Sequence, residues 1–221
     1  MSAESDVVYE SSLRFFGKMS ASISHEINNV LAIINENAGL LEDFALVADK
    51  GTPIDPARLK TMAGKIQNQI RRADIIIRNM NKFAHSVDES IKGIDLNDLL
   101  ELVVALSNRL ASMRGVTLKL NTSTNPLFIT TNHFFLENLL WQCLDFAMDA
   151  AGQGKTVSLN VEITENTAVI RFSQLEGLKT ASGIMSPVTM AEGLLDALKG
   201  RLTTDMEAGV MALTLPADIT K

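Results

Sequence analysis

The stretch Ser22-Ile23-Ser24-His25-Glu26-Ile27-Asn28-Asn29-Val30-Leu31 decides how the first half of the chain is read. Apolar residues from Ile23 onward fall at Ile27, Val30, Ile34, Leu41 and Phe44, in steps of four and three. That spacing predicts a helix with a seam packed on partner helices. Asn37 takes the seam position between Ile34 and Leu41, where a polar side chain can fix the register of a bundle. His25 lies between seam positions and so points away from the core. Asn29 follows one turn later on the same face, with Glu26 beside His25. A carboxylate next to an exposed imidazole can hold one ring nitrogen protonated and leave the other as a nucleophilic lone pair. The zinc-protease pattern of two histidines four apart fails, because residue 29 is Asn. A plain solvated histidine is the alternative reading of these ten residues.

Beyond the motif, 221 residues suffice for one large or two small domains. Hydrophobic residues make up 46% and aromatics 5%, so the core is expected to be aliphatic and rich in methionine. A net charge of −6 argues against sequence-independent nucleic-acid binding. The single cysteine, Cys143, excludes an internal disulfide and fits a reducing compartment. No apolar run approaches the ~18 residues of a membrane span, and no signal-peptide pattern opens the chain, so a cytoplasmic protein without membrane attachment is expected.

Taken in order, residues 1 to about 10 read as frayed polar sequence. A long helix is predicted from about Ser11 to Ala48. Lys50 to Pro56 form a turn, in which Asp55 before Pro56 is an N-cap with proline at the first helical position. The second helix places Leu59, Met62, Ile66, Ile70, Ala73, Ile77, Met80 and Ala84 at seam spacing. Two such helices form an antiparallel hairpin with a long apolar stripe. Pairing two copies into a four-helix bundle covers that stripe; cover by the second domain of the same chain is the alternative. Lys65, Arg71, Arg72, Arg78 and Lys82 read mostly as a solvated face. His85 closes the second helix, where a cation favours the dipole, and lacks a carboxylate four residues upstream. After residue 90 the pattern changes. Helices are predicted at Leu96–Ala111, Phe134–Ala151 and Met190–Lys199. Strands are predicted at Gly115–Leu120, Leu127–Thr130, Val157–Ile163, Thr167–Phe172, Arg201–Met206 and Val210–Leu215. The expected class is α+β: a helical hairpin over residues 1–90, then an α/β sandwich over 91–221 with one sheet and helices on one face.

Ser24-His25-Glu26-Ile27-Asn28-Asn29 resembles the H-box of two-component sensor histidine kinases, whose histidine carries a phosphoryl group; Val30 stands where the family has proline. The resemblance implies that His25 is the phosphoryl carrier. It implies further that Glu26 assists proton transfer at the ring, and that Asn29 positions water during dephosphorylation of a response regulator. Asp95-Leu96-Asn97, Gly115 to Leu118, the Phe134–Ala151 helix and Leu215-Pro216 resemble landmarks of the ATP-binding domain that follows in that family. The likeness spans about Leu13 to Pro216.

Several family features are missing. Aligned through Asn132, Leu136, Leu140, Ala147, Asp149 and Ala150, the N-box holds Gln142 and Phe146 at its two asparagine positions. Phenylalanine offers no oxygen to the Mg²⁺ that the second asparagine would ligate. Ser173-Gln174-Leu175-Glu176-Gly177 lacks the aspartate that reads adenine. Of the glycine-rich phosphate loop only Gly183 survives, and only about five residues are left for an ATP lid. Phosphoryl transfer from ATP rests on positioning and on Mg²⁺, so no nucleotide cofactor is expected, with Mg²⁺ only on a partner. The expected activity is a histidine phosphotransferase exchanging a phosphoryl group between His25 and the aspartate of a response-regulator receiver domain, within a homodimer. A silent kinase-like module that binds a regulator or kinase, and a kinase or phosphatase with residual activity, are the alternatives.

Overall fold

The computed structural model describes residues 3–123, 125–179 and 187–221. The chain divides into two compact units, Lys18–Lys82 on one side and Met1–Gly17 with Phe83–Lys221 on the other. The boundary expected after residue 90 falls inside the larger unit.

Two helices build the smaller unit, α1 (Ala3–Asp49) and α2 (Pro56–Ala84), whose ends run on into the larger unit. Asp55 caps α2, its Oδ1 accepting from the Ala57 N–H at 2.9 Å. The seam expected on α1 is there: Ile23, Val30 and Asn37 are buried, and Ile27, Ile34, Leu41 and Phe44 are half-buried. Asn37 does not reach across the seam; its Nδ2 donates back to Ile33 O at 2.7 Å on its own helix. On α2 the expected seam splits in two. Met62, Ile66, Ala73 and Met80 are half-buried, together with Gln69 and Ile76. Leu59, Ile70 and Ile77 are 38%, 48% and 43% exposed. The reason is geometric: α2 carries two apolar stripes, and one partner helix covers only one of them.

In the larger unit α3 (Leu96–Arg114) starts at Asp95, whose Oδ1 accepts from the N–H groups of Asn97 and Leu127, both at 3.0 Å. It ends at Gly115, where φ is 66° and the left-handed conformation favours glycine. Five strands form the main sheet in the order β2 (Thr117–Asn121), β4 (Thr156–Ile163), β5 (Thr167–Ser173), β7 (Val210–Pro216), β6 (Arg201–Asp205). Only β2 and β4 run parallel; the other pairs are antiparallel, β4–β5 and β6–β7 as hairpins and β5–β7 across a long connection. Ala168, Ile170 and Phe172 of β5 and Met211, Leu213 and Leu215 of β7 alternate into the core, as period-two strands covered on one face do. Helices α3, α4 (His133–Asp149) and α5 (Pro187–Ala197) form the covering layer, with α4 packed on both its neighbours and on β4. That central place explains why α4 is apolar on nearly every side.

Two expectations are corrected. The sheet does not include the strand near Leu127: β3 (Phe128–Thr131) pairs instead with β1 (Lys92–Asp95) in a separate two-stranded ribbon. Glycine and two charged residues in β1 hid it from a propensity reading. The chain is also helical from Ala3 rather than frayed to about residue 10. Packing supplies the order: Phe15 is buried against Phe83, Phe134 and Trp141, with ring centroids 5.4, 5.7 and 5.6 Å away.

Candidate functional site

Helix α1 presents His25, Asn28 and Asn29 to solvent, while Ile23 and Val30 hold that segment down on the seam. His25 makes no hydrogen bond or ion pair with any described residue, so both ring nitrogens are open to an incoming group. Ser24 turns its hydroxyl back to Ser20 O at 2.9 Å. Glu26 is directed away from the imidazole. Its Oε2 lies 3.6 Å from Arg72 Nη2 of α2, with the carboxylate side chain 20% exposed and the guanidinium 50%. Adjacent helical residues do not face one another, which is why Glu26 reaches α2 while His25 looks outward. Asn29 lies on the His25 face, one turn along. His25 and Asn29 thus share an exposed surface, with Glu26 at its edge. Arg72 was not foreseen as part of this place, because α2 carries several basic residues and sequence alone does not set the register that selects one of them.

The two other histidines have carboxylate partners. His85 has no carboxylate four residues upstream, but its Nδ1 lies 2.8 Å from Asp88 Oδ2, three residues downstream. His133 Nε2 lies 3.2 Å from Oε1 of Glu137, which is fully buried on α4.

On α4, Gln142 is committed elsewhere than to a nucleotide. Its Nε2 donates to Ser11 Oγ at 3.1 Å and to Asn138 Oδ1 at 3.0 Å, and Asn138 Nδ2 reaches the same Ser11 oxygen at 3.3 Å. Phe146 is only 8% exposed and belongs to the core. After β5 the chain turns through Gln174 with φ of 69°, buries Leu175, and brings Gly177 against Ala150. A Cβ on Gly177 would stand 3.0 Å from Ala150 O, and the Gly177 N–H donates to that oxygen at 2.9 Å. This glycine therefore serves backbone packing. Gly183 and the segment expected to replace the lid lie outside the described residues.

A cleft of about 680 Å³ in the larger unit is lined by Tyr9, Leu13, Phe16, Phe134, Phe135 and Asp196 among others. Among the described residues its lining holds one carboxylate and no lysine or arginine, a poor match for a polyphosphate. Among the described residues no group of three or more His, Cys, Asp or Glu is placed to hold a metal ion. None of the described helices is long and apolar enough to cross a membrane.

No family model matches the sequence. Two sensor proteins are similar to it. The sensor protein FixL of Bradyrhizobium diazoefficiens is 25% identical over 186 residues, which are 84% of this chain and 36% of FixL. The C4-dicarboxylate transport sensor protein DctB of Pseudomonas aeruginosa is 26% identical over 156 residues, 69% of this chain and 24% of DctB. The chain thus spans about a third and a quarter of these two proteins. Among solved structures, histidine kinase ThkA in complex with the response regulator protein TrrA superimposes with a TM-score of 0.48 at 20% identity, over 95% of this chain and 64% of that one. The sensor relatives agree with the histidine-kinase-like character read from the H-box and from the order of the two parts.

Proposed function

We propose that the chain is a histidine phosphotransferase of a two-component phosphorelay, working through His25 without binding ATP. One observation carries this reading. The histidine of an H-box is exposed and open, while the N-box positions that would serve a nucleotide are a hydrogen-bonded Gln142 and a buried Phe146. A carrier that takes its phosphoryl group from another protein needs the first and has no use for the second.

In the proposed exchange, a lone pair of the neutral His25 ring attacks the phosphorus of a receiver-domain aspartyl phosphate. The new N–P bond forms as the acyl P–O bond breaks, and the aspartate leaves as carboxylate with the bonding electrons. The other ring nitrogen keeps its proton until solvent or a nearby base removes it. The reverse step returns the phosphoryl group to a regulator. In this reading Asn29, exposed one turn along, hydrogen-bonds water or a phosphoryl oxygen, and Glu26 assists proton transfer.

The exposed stripe of Leu59, Ile70 and Ile77 on α2 supports a homodimer, in which a second hairpin buries it as a four-helix bundle. Incubation with a radiolabelled, phosphorylated receiver domain tests the activity. Label should move to the protein and be lost with His25→Ala. Label retained in His25→Ala would refute the relay and leave a module that only binds regulators.

A further inference from the structure

The cleft in the larger unit has no part in the relay. Its described lining lies wholly within that unit: Tyr9 and Phe16 come from α1, Phe134 and Phe135 from α4, and Asp196 and Ala197 from α5. Gln142 and Phe146 are not among these residues, so the space differs from the place where an N-box would meet a nucleotide. Four aromatic rings around about 680 Å³ make an apolar chamber inside the ~300–1,000 Å³ range of small-molecule sites. Glycine at 193 lets α5 approach α1 closely, since a Cβ there would stand 2.9 Å from Val8 Cγ2. Ala197, one turn further on, leaves the space beside that contact unfilled.

Two polar groups in this lining lack partners. Ser12 is only 8% exposed, and its Oγ has no hydrogen bond, an arrangement that is costly unless something else supplies one. Asp196 is the one charged residue of the described lining, and its carboxylate meets no cation among the described residues. A positive group entering here gains from the carboxylate and from the negative faces of the rings. A negative group would meet only repulsion, within a chain of net charge −6.

We propose that the cleft is a binding site for a small amphiphilic cation, an apolar body with an ammonium group. The body packs among Phe16, Phe134 and Phe135, the ammonium pairs with Asp196, and a polar atom on the body answers the Ser12 hydroxyl. The site stands whether or not His25 carries phosphate. A second copy of the chain seated on Tyr9 and Leu13 is the competing occupant.

Three fluorescent probes with one dansyl body test this on the full chain: dansylcadaverine, which ends in an amine, its N-pentyl analogue without the amine, and the analogue ending in a carboxylate. Dansylcadaverine should brighten with micromolar affinity, about tenfold tighter than the N-pentyl analogue, as a charge-assisted contact allows. The carboxylate probe should bind weakest. Asp196→Asn should remove the tenfold advantage of the amine and leave the N-pentyl analogue unchanged. Ala197→Phe should abolish binding of all three with unchanged helical circular dichroism, because the new ring fills the space. Ser12→Ala should weaken dansylcadaverine severalfold, since the sulfonamide loses its partner. Equal affinity for the three probes, unaltered binding in Ala197→Phe, or no brightening at millimolar probe overturns the proposal. Probe affinity that falls as protein concentration rises would give the cleft to a second copy and overturn it as well.

Discussion

Gln142 Nε2 donates to Ser11 Oγ over 3.1 Å, so a hydroxyl from the first turns of the chain satisfies an amide on the helix where histidine kinases place a nucleotide-binding asparagine. Calorimetric titration with ATP and Mg²⁺ should accordingly give no heat beyond dilution. Micromolar affinity would revive the kinase reading. Phe146→Asn should not restore binding, and should cost about 3 kcal/mol or more, because it removes a buried ring and buries an amide in its place.

Mass by light scattering should correspond to two copies of the 24.0 kDa chain. Ile70→Glu is the discriminating variant. Ile70 is 48% exposed in the single chain, so a carboxylate there leaves the hairpin intact yet would be buried unpaired in a bundle of two. The variant should run as a folded monomer with unchanged helical circular dichroism. A monomeric mass for the unmodified protein would exclude the bundle.

Around His25 the three substitutions should separate. His25→Ala removes transfer and leaves folding unchanged, since an exposed side chain contributes little to stability. Glu26→Ala should slow transfer, with about 10²–10⁴-fold as the range for acid–base assistance. Asn29→Ala should alter the hydrolysis of phosphorylated regulator and spare the relay. A pre-steady-state transfer assay with a parallel hydrolysis assay distinguishes them.

Phe15→Ala should destabilise the larger unit by about 3–5 kcal/mol, because it empties the centre of the cluster with Phe83, Phe134 and Trp141. Urea denaturation followed by Trp141 fluorescence measures this. A loss below about 1 kcal/mol would mean that the start of α1 is not held by this cluster.

Burial pushes the Cys143 thiol up from 9.0 to about 12. In the native state it therefore keeps its proton where the unfolded chain loses it, so unfolding releases a proton between these values. Stability should fall as pH rises from about 9 toward 12. Cys143→Ala should remove that part of the alkaline slope. At neutral pH iodoacetamide should label the protein only in denaturant.

The hairpin and the α/β order were legible because both rest on local periodicity. The 4–3 spacing through Ile23, Val30 and Asn37 fixed the outward direction of His25, and alternation in Thr167–Phe172 gave a central strand. What escaped depends on contacts between distant segments. Ile70 and Ile77 share the spacing of Ile66 and Met80, and only the register with α1 tells which stripe is covered. Arg72 looks like its basic neighbours until α1 places Glu26 against it. Ser11 carries no signal at all, since its role is to answer Gln142, more than a hundred residues away. The strand at Lys92–Asp95 is defined by its partner rather than by its own residues.

The 47-residue helix that bears His25 also lends Ser11 and Phe15 to the larger unit, which makes that unit discontinuous in sequence. Cut after residue 90, the C-terminal piece would lose the residues that cap Gln142 and fill the space beside Trp141. A chimera that grafts this α/β part onto a foreign hairpin inherits the same wound unless it carries Met1–Gly17 along. The protein is therefore not a pair of exchangeable modules. Helix α1 and the α/β part are bound to change together under mutation, however separable they look along the chain.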